Sequence, residues 1–228
     1  MLLSAGYLQR SVPSGAAVGR ISAALSPFWR YRRPDIVGLV STRPRDPSLG
    51  DRWDPAVRLE PYSSRRAAAA ARECDAIRLV ATPTAVAVEH VGSTAVPGLV
   101  AKPIIDIQVS VGAGSDPLRV RGALEQLGYS YVHDPASTEY VLFVKPSSRP
   151  RSHHVHVCVS GGADEYRHLA VRDYLCVHPD EVRAYAALKS RLVAAAPFDR
   201  LAYIDGKGHF MAELEVRALA WATRVERA

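Results

Sequence analysis

The chain has 228 residues, 48% of them apolar, which is enough to bury the core of one domain. No apolar run approaches the roughly 20 residues of a membrane-spanning helix, so no membrane partner is expected. The net charge of +6 is unevenly spread: residues 1–50 hold seven arginines against Asp35 and Asp46, leaving 22 basic and 21 acidic side chains in the rest. A near-neutral body lacks the clustered cations of a phosphate-tracking surface, which argues against nucleic acid as the main partner. Cys74, Cys158 and Cys176 are odd in number and far apart, which excludes a disulfide framework or a zinc ribbon and fits a reducing cytoplasm.

Residues 1–56 contain six prolines and no sustained period, and they read as a basic, Pro- and Arg-containing arm with little order. Its start resembles an organellar transit peptide in composition, and the arm is also the segment best suited to hold RNA. Residues 57–228 are expected to form one domain. From Ser63 to Val80 the run SSRRAAAAARECDAIRLV predicts a helix, with Ser63 or Ser64 as N-cap. AVAVEHV alternates into a strand at 85–91, and PIIDIQVSV predicts a second, buried strand at 103–111. PLRVRGALEQLG reads as a helix closed by Gly128.

YVLFVK and HHVHVCV predict strands at 139–145 and 153–159, joined by the polar link PSSRPRS. EYRHLAVRDYLCVH is helical, and Pro179 opens another helix whose first turn carries Asp180 and Glu181, with Val182, Tyr185, Leu188 and Leu192 as its apolar stripe. A last helix is expected from about Asp205 to Arg224. Strands followed by helices in this order predict an α/β (α+β) fold, a mixed sheet under a helical C-terminal portion.

The chemistry concentrates between His90 and Val111. Gly92-Ser93 at a strand exit presents backbone N–H groups and a hydroxyl to one point, either as a phosphate seat or as a tight connection. Asp106 is the only carboxylate on the following strand and shares a face with Gln108. A buried carboxylate needs partners, supplied by a cation or by an ion pair with Lys102 or Arg172. His154 and His156 share a face of a later strand and read either as ligands or as hydrogen-bonded surface residues.

The run VEHVGSTAVPGLVAKPIIDI, followed in order by HHVHV and HLAVRDYLCVHPDEVRAYAALK, resembles the signature of the GrpB family, also called UPF0157, over residues 57 to 225. The resemblance implies a nucleotidyltransferase-like fold, in a family whose members occur alone or fused to dephospho-CoA kinase. It implies Gly92 and Ser93 as the phosphate-facing pair and Asp106 as the catalytic, metal-holding carboxylate. Gln108 then stands where that superfamily has a second carboxylate, and His154 and His156 where it has a third acid. Arg172 and Lys207 match family positions on the helices and read either as facing the same phosphate cleft or as ordinary helix salt bridges, and Lys102, four residues before Asp106, either steadies a phosphate or caps a turn.

One carboxylate, an amide and two imidazoles suit manganese or zinc better than magnesium. The expected function is binding of a nucleotide or phosphorylated small molecule with a divalent metal, with metal-dependent nucleotidyl transfer as its active form. A catalytically degenerate binding or accessory module is the first alternative, and an RNA-associated protein using the basic arm the second.

Overall fold

The structure, a computed structural model, describes residues 56–132 and 140–226. The arm and the roles expected of it lie outside the described residues. The first helix, α1 (Ser64–Ala81), starts where Ser63 accepts a hydrogen bond from the Arg66 amide at 3.4 Å, and its alanine run favours the helix intrinsically. Strand β1 (Ala85–Val91) leads through a single 3₁₀ turn at Ser93–Ala95 to β2 (Ile105–Val111). The second strand starts two residues later than the sequence predicts. Pro103 has no amide to donate, and the Ile104 amide turns back onto the Lys102 carbonyl at 2.8 Å.

A 3₁₀ turn at Pro117–Val120 runs into the short α2 (Arg121–Gln126), and Gly128 at φ 81° closes it. Three strands follow: β3 (Ser130–Val132), β4 (Val141–Lys145) and β5 (His153–Val159). The three-residue β3 is too short to announce itself by alternation. The C-terminal portion comprises α3 (Ala163–Val177), α4 (Pro179–Ala195), α5 (Arg200–Gly206) and α6 (Gly208–Glu226). The single last helix expected from the sequence is therefore two helices. Asp199 caps α5 by accepting from the Ala202 amide at 2.7 Å, and the glycines either side of Lys207 weaken helix continuation there.

The sheet has the order β1-β2-β5-β4-β3, with β2 and β5 parallel and the other neighbours antiparallel. It is a mixed α+β architecture. One face is the apolar core, where Ile107, Val109, Val111, Val155 and Val157 are fully buried against Ala70, Cys74 and Ile77 of α1 and Leu124 of α2. Each such aliphatic side chain contributes about 1.5–3 kcal/mol through burial. Because side chains alternate, the opposite face carries Asp106, Gln108 and Ser110 from β2 beside His154, His156 and Cys158 from β5. That polar face carries the site.

Candidate functional site

The parallel register aligns Asp106 with His154 and Gln108 with His156. His154 Nδ1 lies 3.3 Å and His156 Nε2 3.6 Å from the same oxygen of Asp106, Oδ1. One donor atom from each of the three falls within 4.8 Å of the others. These separations are long for hydrogen bonds. They match two ligands about 2.1 Å from a shared ion at the tetrahedral angle, which lie about 3.4 Å apart. Burial opposes charge on Asp106, yet the two imidazoles hold its carboxyl well below the usual carboxylate range. Burial likewise lowers His154, leaving its ring neutral near pH 7. An ionised carboxylate with neutral imidazole is the protonation state that cation binding requires.

Gly92 makes the approach to Asp106 feasible. Its φ of 70° and ψ of −169° fall in a region essentially reserved for glycine. A Cβ there would also stand 2.7 Å from Asp106 Oδ2. Across the turn, the His90 ring of β1 shares a hydrogen bond with the Thr94 hydroxyl at 2.9 Å, and burial pushes His90 down to about 4.

Beside the cluster opens a cavity of about 200 Å³ lined by Ser93, Lys102, Asp106, His154, Lys189 and Lys207, among others. Lys189 of α4 is 1% exposed, and its ammonium donates to Ser93 Oγ at 3.1 Å and to the Val100 carbonyl. Among the described residues, neither Lys189 nor Lys207 has a carboxylate within ion-pair distance. Burial, then the nearby lysines, pushes Lys189 down to about 7 and Lys207 down to about 8. Tyr203 forms part of the wall, with Lys207 Nζ 4.6 Å and Lys102 Nζ 5.9 Å from its ring centroid.

The sequence-predicted residues divide accordingly. Ser93, Lys102, Asp106, His154 and Lys207 line the cavity, Gly92 supports it, and His156 completes the cluster behind it. The Gln108 side chain is 2.9 Å from the His168 ring through its amide oxygen, which commits that oxygen to α3. Arg172 lies elsewhere, joined to Asp173 at 2.7 Å, to Glu89 at 3.0 Å and to the His90 carbonyl at 3.1 Å, where it ties α3 to β1. Lys189 is the residue that the sequence pattern did not single out. Its signal was present, because Lys189 falls four residues after Tyr185 and seven after Val182 on the buried stripe of α4.

Fold and site together define a mixed α+β protein in which a lysine-lined cavity adjoins an Asp-His-His cluster. The sequence pattern of the GrpB protein family matches residues 56–217, and the chain belongs to that family. It is 46% identical over 157 residues to the UPF0157 protein PA4798 of Pseudomonas aeruginosa, covering 68% of this chain and 64% of that one. The UPF0157 protein YqkA of Bacillus subtilis is 32% identical over 160 residues, 70% of this chain and 46% of its own. The chain thus spans less than two thirds of either relative. A crystal structure of the conserved protein GrpB from Enterococcus faecalis superposes with a TM-score of 0.64 at 31% identity, covering 72% of this chain and 98% of that chain. A dephospho-CoA kinase of Mycolicibacterium paratuberculosis is 31% identical over 192 residues, 73% of this chain and 47% of the kinase.

Proposed function

We propose that the protein binds a nucleotide or another phosphorylated small molecule, with its phosphate on Ser93, Lys102, Lys189 and Lys207 and a divalent cation between that phosphate and Asp106, His154 and His156. The observation that carries this reading is the placing of buried Lys189 and half-buried Lys207, without carboxylate partners among the described residues, beside a three-residue ligand set in one cavity. Burial lowers both amines toward the neutral form, and a bound anion would restore and hold their protons. Manganese or zinc suits the two imidazoles better than magnesium does. When bound, such a cation supplies Lewis acidity toward a phosphoryl oxygen. The nucleotidyltransferase-like reading adds that an acceptor hydroxyl attacks the α-phosphorus of a nucleoside triphosphate and releases diphosphate.

The test is calorimetric titration of chelator-treated protein with manganese and zinc, alone and with ATP, beside an assay for diphosphate release. Binding of metal and ATP that is lost in Asp106→Asn supports the reading, and no binding of either sinks it. A second reading, a binding or accessory module without transfer, is favoured by Gln108. Its neutral amide stands in place of a second carboxylate and is engaged by His168. Similarity to part of a dephospho-CoA kinase fits a module working beside a nucleotide-using enzyme. Metal-dependent binding without diphosphate release selects this second reading.

A further inference from the structure

The charge that the cavity offers a ligand is mainly cationic, with three lysines to one carboxylate. The Ser93 hydroxyl accepts from Lys189 and keeps its O–H to donate, the Thr94 hydroxyl pairs with His90, and Asp106 and His154 face each other in the ligand cluster. What meets a ligand is the ammonium groups of Lys189 and Lys207, with Lys102 on the same wall. A lysine ammonium has three donors and no acceptor. A wall rich in ammonium donors fits a ligand end that offers acceptors and negative charge, which a phosphate unit supplies.

Size and stacking lead to the same conclusion. Ligand pockets for drug-sized molecules span about 300–1,000 Å³, whereas this cavity holds about 200 Å³. At about 30 Å³ per water-sized group, that space takes a phosphate end more readily than a whole nucleotide, whose remainder can extend through the open side. The aromatic side chain on the wall, Tyr203, is 2% exposed and already carries two lysines beside its ring, so it gives a base no open face. Strong discrimination between substrates needs buried groups that hydrogen-bond the distinguishing atoms.

We infer that the site recognises the phosphoric ester or anhydride end of its ligand and is blind to the organic part, so that inorganic diphosphate is a sufficient ligand and no nucleoside is required. This rests on the proposed phosphate-binding role of the cavity and narrows it to a substrate class. The nucleoside, when one is attached, projects out of the enclosed space.

The experiment is a calorimetric titration of the full chain, in the presence of manganese, with inorganic diphosphate, inorganic phosphate, ATP, GTP, CTP, UTP, adenosine and citrate. Diphosphate and the four triphosphates should bind within about threefold of one another, and adenosine should not bind at all. Lys189→Met and Lys207→Met should each weaken diphosphate and ATP by the same factor. A preference above tenfold for one triphosphate, or ATP binding while diphosphate is silent, overturns the inference and leaves phosphate binding standing. Citrate binding as tightly as diphosphate overturns it in favour of a general polyanion site. Failure of every phosphate compound removes the underlying reading as well.

Discussion

At the scale of single residues, the contrast between Asp106 and Lys189 shows what a sequence reveals. A lone carboxylate in an apolar strand is conspicuous because burying it without partners is expensive. A lysine on an amphipathic helix is ordinary, and only its position on the buried stripe of α4 marks Lys189 as different. Gly92 was legible as a turn residue, but its second role depends on a strand 13 residues later folding back to place Asp106 Oδ2 where a Cβ would stand. Gly92→Ala should therefore lose stability by about 1–3 kcal/mol from backbone conformation alone. It should also displace the carboxylate and weaken zinc binding. Urea denaturation and a zinc titration of the same preparation check both, and unchanged zinc affinity would detach Gly92 from the site. Asp106→Asn should lower zinc affinity by more than about a hundredfold, since removing even an outer partner costs about 10–100-fold. Its fold should persist, as judged by circular dichroism.

At the scale of elements, periodicity located most of the chain. The strands expected at 85–91 and 153–159 coincide with β1 and β5, and the helix opened by Pro179 coincides with α4. What periodicity lacks is pairing. That β5 lies parallel to β2, aligning His154 with Asp106 and His156 with Gln108, depends on the crossover through α2, β3 and β4 and has no local signature. The partner of Gln108 was equally illegible, because His168 reaches it from α3, 60 residues away. This changes what a carboxylate at position 108 does. Gln108→Glu, in a site 1% exposed, should pair with His168 and raise the pKa of that ring instead of creating a second metal ligand. Magnesium affinity should stay within about threefold of the wild type, while the His168 titration seen by NMR moves upward. A large gain in magnesium affinity with no movement of His168 would show that position 108 faces the cation after all.

At the scale of the whole molecule, the sheet separates two chemistries. One face is the apolar core that supplies stability, and the other holds charge that folding alone does not compensate. Lys189 falls from 10.5 to about 7 and Lys207 from 10.5 to about 8, with burial the first cause in each. Folding is therefore opposed by the proton each lysine carries. Between about pH 7 and 8.5 the unfolded chain keeps both lysines protonated while the folded protein releases them, so the unfolded state binds more protons and stability rises with pH. A proton held by the unfolded chain alone is worth about 1.4 kcal/mol for each pH step of one, so the two lysines together give a rise on the order of 2 kcal/mol. Below that window unfolded histidines begin to protonate. Above it the rise levels off, because burial pushes Cys74 and Cys158 up to about 12, so these thiols ionise first in the unfolded chain. The metal-free wild type should accordingly gain urea resistance from pH 7 to 8.5. Lys189→Met should be the more stable protein at pH 7 and show a shallower slope. Diphosphate affinity should move the opposite way and fall across the same window, because the amines that disfavour the empty fold are those that hold the anion. Parallel slopes in wild type and Lys189→Met would mean that Lys189 keeps its proton in the folded protein, and a pH-independent diphosphate affinity would separate these amines from the ligand.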